Sequence, residues 1–367
     1  MTDGECTTAF EPLRDLLARH LDDGTDLGAA VAVVHRGDLV ADLWGGQARP
    51  GVAWERDTIV QVWSVTKTLA ALVVLALADR GDLELDAPAA RYWPAFAAHG
   101  KGEVTVAQLL GHTSGVPGWS RPVSVEDLLD LELSEGWLAE ESPWYEPGTS
   151  SAYQILNHGH LLDAVVRGAT GRPLADVLRE LLASTGSEFF LGVPVDALGR
   201  CADLVPPDST SVDIATMPPD HFLLRTIANP FLTMPVVNGE TWRRGEVGAA
   251  GGHGNARGIA LAHSRLLATL GPATIDAMLT VQASGPDLVL GVPITFGTGF
   301  ALPGASSPAV PEGRVCWWTG YGGAIVVNDL DREVTVAYTP NRLVDHMVAS
   351  PRTDAYLATA FACVEAL

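Results

Sequence analysis

The chain has 367 residues, 47% of them hydrophobic and 18% charged, which is the composition of a folded globular protein with room for a large core. Its formal charge of -21 and pI near 4.7 exclude nucleic acid and anionic membrane surfaces as partners, since either would repel it. The four cysteines, Cys6, Cys201, Cys316 and Cys363, form no C-x-x-C pair, so the spacing indicates neither a zinc site nor a disulfide framework.

The opening MTDGECTTAF is acidic and lacks the basic start and apolar stretch of a secretory signal. No later run approaches about 18 uninterrupted apolar residues, so the sequence reads as cytoplasmic and without a membrane span. Residues 10–21 have helical periodicity. Residues 28–36 and 39–44 are apolar, β-branched stretches either side of Gly37-Asp38, the pattern of a β-hairpin. Helical or loop patterns then dominate, with helices expected over 64–80, 105–110, 124–132, 151–169 and 173–184. Three strands are expected at 314–318, 323–328 and 333–338, split by glycines and an Asn-Asp-Leu-Asp turn, and a final helix at 353–367.

Strands at both ends with helices between them predict an α/β (α+β) fold: one antiparallel sheet flanked by helices, with a mainly helical insertion. The expected division is 1–82 with 255–367 as the sheet-bearing domain and 83–254 as the helical one. The active site would lie at their interface.

The helix beginning at Ser64 is apolar nearly all round up to Leu77, which belongs in a protein interior. Ser64-Val65-Thr66-Lys67 opens it. A spacing of three puts the hydroxyl and the amine on one face. The helix N-terminus offers unpaired amides and positive dipole to a developing oxyanion. A lysine held there out of water is driven toward its neutral form and can act as a base. Of the 23 basic residues only Lys67 and Lys101 are lysines, and arginine cannot give up its proton near neutral pH. Chance supplies S-x-x-K often, and Ser64 is also a plausible helix cap.

Three further stretches follow in order: YWPAFAAHGKGEVTVAQLLGHTSGVPGW at 92–119, PWYEPGTSSAYQILNHGHLLDAVVRGATGRP at 143–173, and CWWTGYGG at 316–323. Together with S-x-x-K they resemble the serine β-lactamase and penicillin-binding-protein superfamily, and most closely its family VIII carboxylesterases. The resemblance runs from about residue 28 to Arg342. It implies that Ser64 is the nucleophile, Lys67 its base, and Tyr153 the second proton-transfer group, a phenol held partly ionised by the lysine. It implies an oxyanion hole from the backbone N–H groups of Ser64 and Tyr321, and a substrate-binding strand at Trp318-Thr319-Gly320.

Two departures bear on the substrate. β-Lactamases usually carry lysine where this chain has Trp318, and an indole cannot pair a carboxylate but can flank a neutral acyl or alcohol group. The Asn that commonly follows the tyrosine by two is Ile155 here, with Gln154 between as a candidate partner for Lys67. Gln154 and Trp119 join the expected substrate-binding residues. The implied activity is hydrolysis of small-molecule esters through an acyl-serine, with no cofactor and no metal. An acyltransferase or thioesterase-like enzyme would use the same residues. A β-lactamase or D-peptidase, or an inactive binding protein, also shares the fold.

Other motifs carry less. His158 and His160, two apart on an expected helix, point to different sides and make a poor metal pair. His112, in LLGHTSG, reads as a loop brace. No G-x-S-x-G occurs, which removes the α/β-hydrolase elbow, and Gly251–Gly254 lacks phosphate-loop spacing. Oligomeric state is not legible, and specificity is expected to depend on loops around 116–150 and 205–250.

Overall fold

The computed structural model describes residues 2–209 and 216–367; Met1, the first residue of the acidic N-terminal stretch, and 210–215, within the 205–250 loops, lie outside the described residues. The strands in chain order are β1 (Thr2–Cys6), β2 (Gly28–His35), β3 (Asp38–Arg49), β4 (Val52–Ala53), β5 (Val60–Gln61), β6 (Phe189–Phe190), β7 (His253–Gly254), β8 (Ala283–Pro286), β9 (Pro293–Phe296), β10 (Val315–Thr319), β11 (Ile325–Asp329) and β12 (Val334–Pro340). The main sheet is antiparallel in the order β1-β3-β2-β12-β11-β10, with β4 alongside β3. Both chain ends therefore build it, β2 pairing with β12 across about 300 residues of sequence.

The pleat explains β2. Ala30, Ala32 and Val34 enter one core with the helix Ala256–Leu267, and Ala29, Val31 and Val33 enter another with α1 (Glu11–Asp22) and the terminal helix Pro351–Glu365. Alternate side chains point to opposite faces, so a strand covered on both sides must be apolar throughout. Each fully buried Val or Leu contributes ~1.5–3 kcal/mol.

The hairpin turn is Arg36-Gly37, one residue earlier than the Gly37-Asp38 expected, because His35 pairs with Asp38 and both turn residues take positive φ (52° and 83°). That two-residue mirror-image turn matches strand twist. The edge strand β1 was not expected: TDGEC has a single β-branched residue, Thr2, beside Asp and Gly, and its place comes from pairing with β3.

Helix α2 (Thr66–Asp79) is buried at every position from Thr66 to Leu77, as its unbroken apolarity requires. It begins two residues later than expected, after a 3-10 turn over Trp63–Val65. The expected helix 124–132 is two, Val125–Leu129 and Leu131–Glu140, divided where Asp130 turns extended and caps the second through Leu133 N–H (3.1 Å). The helix expected over 151–169 spans only His158–Thr170. Ahead of it the amides of Ala152 and Tyr153 bond to the His112 carbonyl and the Asp287 carboxylate, partners outside any helix. No helix among the described residues is long and apolar enough to cross a membrane.

Candidate active site

Ser64 sits in the turn that leads into α2. The first bond of that turn is Val65 N–H to Val62 O, so the Ser64 amide precedes it and has no intrahelical acceptor. Trp63, just before, holds φ at 48°, a left-handed value uncommon for a non-glycine residue. One turn on, the Lys67 Nζ lies 3.1 Å from Ser64 Oγ, 2.9 Å from Ile155 O and 2.8 Å from Ala249 O.

These three contacts fix the proton inventory. Both carbonyls only accept, so each takes one N–H. The third direction faces the serine: an ammonium would point a proton there, a neutral amine its lone pair. Burial holds Lys67 well below the ordinary lysine value of 10.5, which favours the amine. In that form its lone pair is available to a proton from Ser64 Oγ.

Tyr153 is buried too, and burial raises its phenol above the usual 10, against the opposing hydrogen bonds from Ser64 and Trp318. Burial thus favours the protonated phenol, where the resemblance implies a partly ionised one. Lys67 does not offset this, because its Nζ stands 4.7 Å over the face of the Tyr153 ring. The phenol oxygen instead receives the Trp318 indole N–H at 2.8 Å. An indole N–H only donates, so Trp318 makes no use of the tyrosine's own proton. Ser64 hydrogen-bonds both Tyr153 and Lys67, so Trp318, Tyr153, Ser64 and Lys67 form one continuous network.

Around Tyr153, His112 and Phe296 complete an aromatic box with Trp318, at ring distances of 4.8, 6.3 and 5.1 Å. His112 is kept neutral by burial, reinforced by His158 and Lys67. It braces the loop as expected, through Nδ1 to Gln154 Oε1 (3.1 Å).

The Trp318-Thr319-Gly320 strand end is placed beside the turn that carries Ser64, and its polar side chains have partners within the protein. The Thr319 hydroxyl is committed to Ala324 O at 2.9 Å. Gly320 lies so close to Val62 that a Cβ would stand 2.2 Å from its carbonyl oxygen. Tyr321 follows, its ring edge-on to Trp63 at 5.8 Å, and its amide takes no part in the turn's bonds, which are Gly320 N to Ala324 O and Gly323 N to Gly320 O.

Two expectations fail. Gln154 does not reach Lys67; its amide is spent on His112, Ser114 Oγ (2.7 Å) and Val116 O. The lysine is held instead by the carbonyl of the next residue, Ile155. Trp119 is core: its indole donates to Ser134 O (2.9 Å) and its ring meets His160 edge-on.

Sequence reasoning missed the carbonyls of Ile155 and Ala249, the latter just before the glycine-rich run that supplies β7. It also missed Asp287, which accepts from the Tyr153, Val289 and Leu290 amides. A backbone acceptor leaves no mark in side-chain identity; the glycines at 248, 251 and 252 were the available sign of a close approach.

The family pattern described as Beta-lactamase matches residues 13–361. Esterase/beta-lactamase LipL of Mycobacterium tuberculosis is 32% identical over 88% of this chain and 78% of its own length. A crystal structure described as a family VIII carboxylesterase superposes with a TM-score of 0.91 at 33% identity, covering 99% of this chain and all of the other. A penicillin-binding protein homolog from Caulobacter crescentus superposes at 0.87 with 29% identity over 99% of this chain and all of that one. With a family pattern spanning residues 13–361 and fold and sequence in agreement, the chain belongs to the Beta-lactamase family.

Proposed function

We propose that this chain hydrolyses small-molecule esters, with Ser64 as nucleophile, Lys67 as its base and Tyr153 as the acid for the leaving alcohol. The chain is a serine hydrolase of the esterase kind. The observation that carries the roles is the saturation of Lys67 by two carbonyls, which leaves one direction, toward Ser64 Oγ, for proton transfer.

Ser64 Oγ attacks the ester carbonyl while its proton passes to the Lys67 amine. The oxygen of the tetrahedral intermediate rests between the Ser64 and Tyr321 amides. As the C–O bond breaks, the Tyr153 phenol gives its proton to the departing alkoxide, leaving a phenoxide supported by the Trp318 N–H and a Lys67 ammonium. In the second half the phenoxide takes a proton from the attacking water, and as the acid leaves the Lys67 ammonium returns its proton to Ser64 Oγ, which restores all three groups.

The neutral indole of Trp318, where a cation would pair a carboxylate, supports uncharged acyl groups as substrates. We take 1–82 with 255–367 as one lobe and 83–254 as the other, with this site between them. Ser64→Ala should abolish both turnover of short-chain p-nitrophenyl esters and labelling by a fluorophosphonate. Retained turnover in that variant would end the reading.

A further inference from the structure

The amide of Tyr321 is carried by a turn that is weakly defined by its own residues. Gly322 and Gly323 both take left-handed φ (82° and 119°), and consecutive glycines leave a loop many accessible conformations. An oxyanion donor needs the opposite, a fixed direction before the charge develops. Something outside the turn must hold it.

Arg352 sits beneath the turn. Its Nη2 donates to Gly322 O at 2.7 Å and to Arg342 O at 2.8 Å, and a Cβ on Gly323 would stand 2.7 Å from the same nitrogen. Its Nη1 donates to Thr25 O at 3.2 Å and pairs with Asp26 Oδ1 at 3.2 Å. The neighbouring Thr353 hydroxyl takes Gly323 O at 3.2 Å. Asp26 in turn accepts from both Tyr338 and Tyr356, whose rings stack at 4.2 Å.

The location makes a purely stabilising role a poor explanation. Arg352 lies in the first turn of the helix Pro351–Glu365, where the dipole disfavours a cation, and it is almost fully buried. Asp26 neutralises the charge. The donors then go to the carbonyl of the turn that bears the oxyanion amide.

We propose that Arg352, held by Asp26, is a positioning residue for the oxyanion hole: it fixes the Gly322 carbonyl and thereby the direction of the Tyr321 N–H. This rests on the oxyanion role given to Tyr321 above. The device joins the 24–27 loop, β12 and the terminal helix to the chemistry, so catalysis depends on contacts made by both ends of the chain.

The test compares the whole wild-type chain with Arg352→Met, Arg352→Lys and Thr353→Val. The measurements are kcat and KM on a short-chain p-nitrophenyl ester, affinity for an alkyl boronic acid that forms a tetrahedral adduct on serine, and the fluorophosphonate-titrated fraction of active sites. Per titrated site, Arg352→Met should lower kcat roughly 10- to 100-fold with KM little changed, and boronate affinity should fall by a similar factor. Arg352→Lys should fall between, since an ammonium retains the charge but cannot meet four acceptors in a planar fork. Thr353→Val should show a smaller loss in the same direction. Wild-type kcat per titrated site in Arg352→Met, or a loss confined to KM with boronate affinity intact, overturns the proposal. If Arg352→Met does not fold, the same two outcomes are read from Arg352→Lys and Thr353→Val. A wild-type chain that neither labels nor turns over esters would instead sink the parent reading.

Discussion

Trp318 donates its indole proton to the phenol oxygen of Tyr153 across 2.8 Å, so the residue that replaces a cation on this strand still points a hydrogen-bond donor at the proton-transfer tyrosine. The donor is neutral, and it orients the phenol without ionising it. Trp318→Phe keeps the ring but removes the N–H. It should lower kcat for a short-chain ester about 10- to 100-fold with KM nearly unchanged. A change confined to KM would return Trp318 to the role of a substrate wall.

The pH profile should reflect Lys67. Its folded value lies well below 10.5, and the neutral amine is the working form, so kcat/KM should fall as pH drops through that lowered value. The Tyr153 phenol is raised above 10, so no alkaline loss due to its ionisation should occur below that pH. A kcat/KM profile still rising at pH 10.5 would mean that Lys67 is not held neutral.

Gly320 is pressed against the nucleophile's turn. Gly320→Ala would place a Cβ 2.2 Å from Val62 O, where neither backbone can yield without moving Ser64 or Tyr321. The expected loss in kcat is about 10²-fold, the scale of a 1 Å misplacement. Stopped-flow acylation rates would show it even if deacylation limits turnover.

Gln154 is a bracket rather than a substrate contact. Gln154→Ala removes the side-chain partner of His112 Nδ1 and the donor to Ser114 Oγ at a fully buried position, while Val116 O keeps its bond from Asn157, and should cost roughly 1–3 kcal/mol in chemical denaturation. KM for esters should be unchanged at temperatures where the variant is folded. A large rise in KM with normal stability would restore it to the substrate pocket.

Away from the site, Glu135 is pushed up to about 9 by burial and by the neighbouring Asp163 charge. Arg167 pairs with both, but it lies closer to Asp163, is partly exposed, and leaves Glu135 the protonated member. A carboxyl raised in the folded state stabilises fully below its unfolded value near 4.5, and that contribution is lost as pH rises through about 9. Glu135→Gln should match the wild-type melting temperature at pH 5 and exceed it at pH 8 to 9. Equal pH dependence in the two proteins would show that Glu135 is ionised.

Much of this site was legible as residue types. Ser64, Lys67, Tyr153, Trp318 and Tyr321 do converge, and the apolar run after Ser64 correctly placed its helix in the interior. What escaped was direction. Trp318 was read by what indole cannot bind, while its N–H donates to the Tyr153 oxygen. Gln154 was a candidate partner for Lys67, but its amide is taken by His112, Ser114 and Val116, and the lysine is held by backbone carbonyls that side-chain identity does not mark. The 151–157 stretch looked helical because its residues tolerate a helix; acceptors on His112 and Asp287, distant in sequence, drew its amides elsewhere.

The pairing of β2 with β12 sets a schedule as well as a shape. On a ribosome adding about 5–20 residues per second, the 28–35 segment waits roughly 15 to 60 s for its neighbour at 334–340 to be made. During that interval an apolar strand lacks one partner and invites pairing with another nascent chain. The contacts of Arg352 with Thr25 and Asp26 come later still, so under the proposed mechanism hydrolysis begins only after both closures between the chain ends. Appearance of ester turnover during refolding is therefore a clock for the whole molecule, and chains shortened before residue 334 should accumulate as silent, chaperone-bound or aggregated protein.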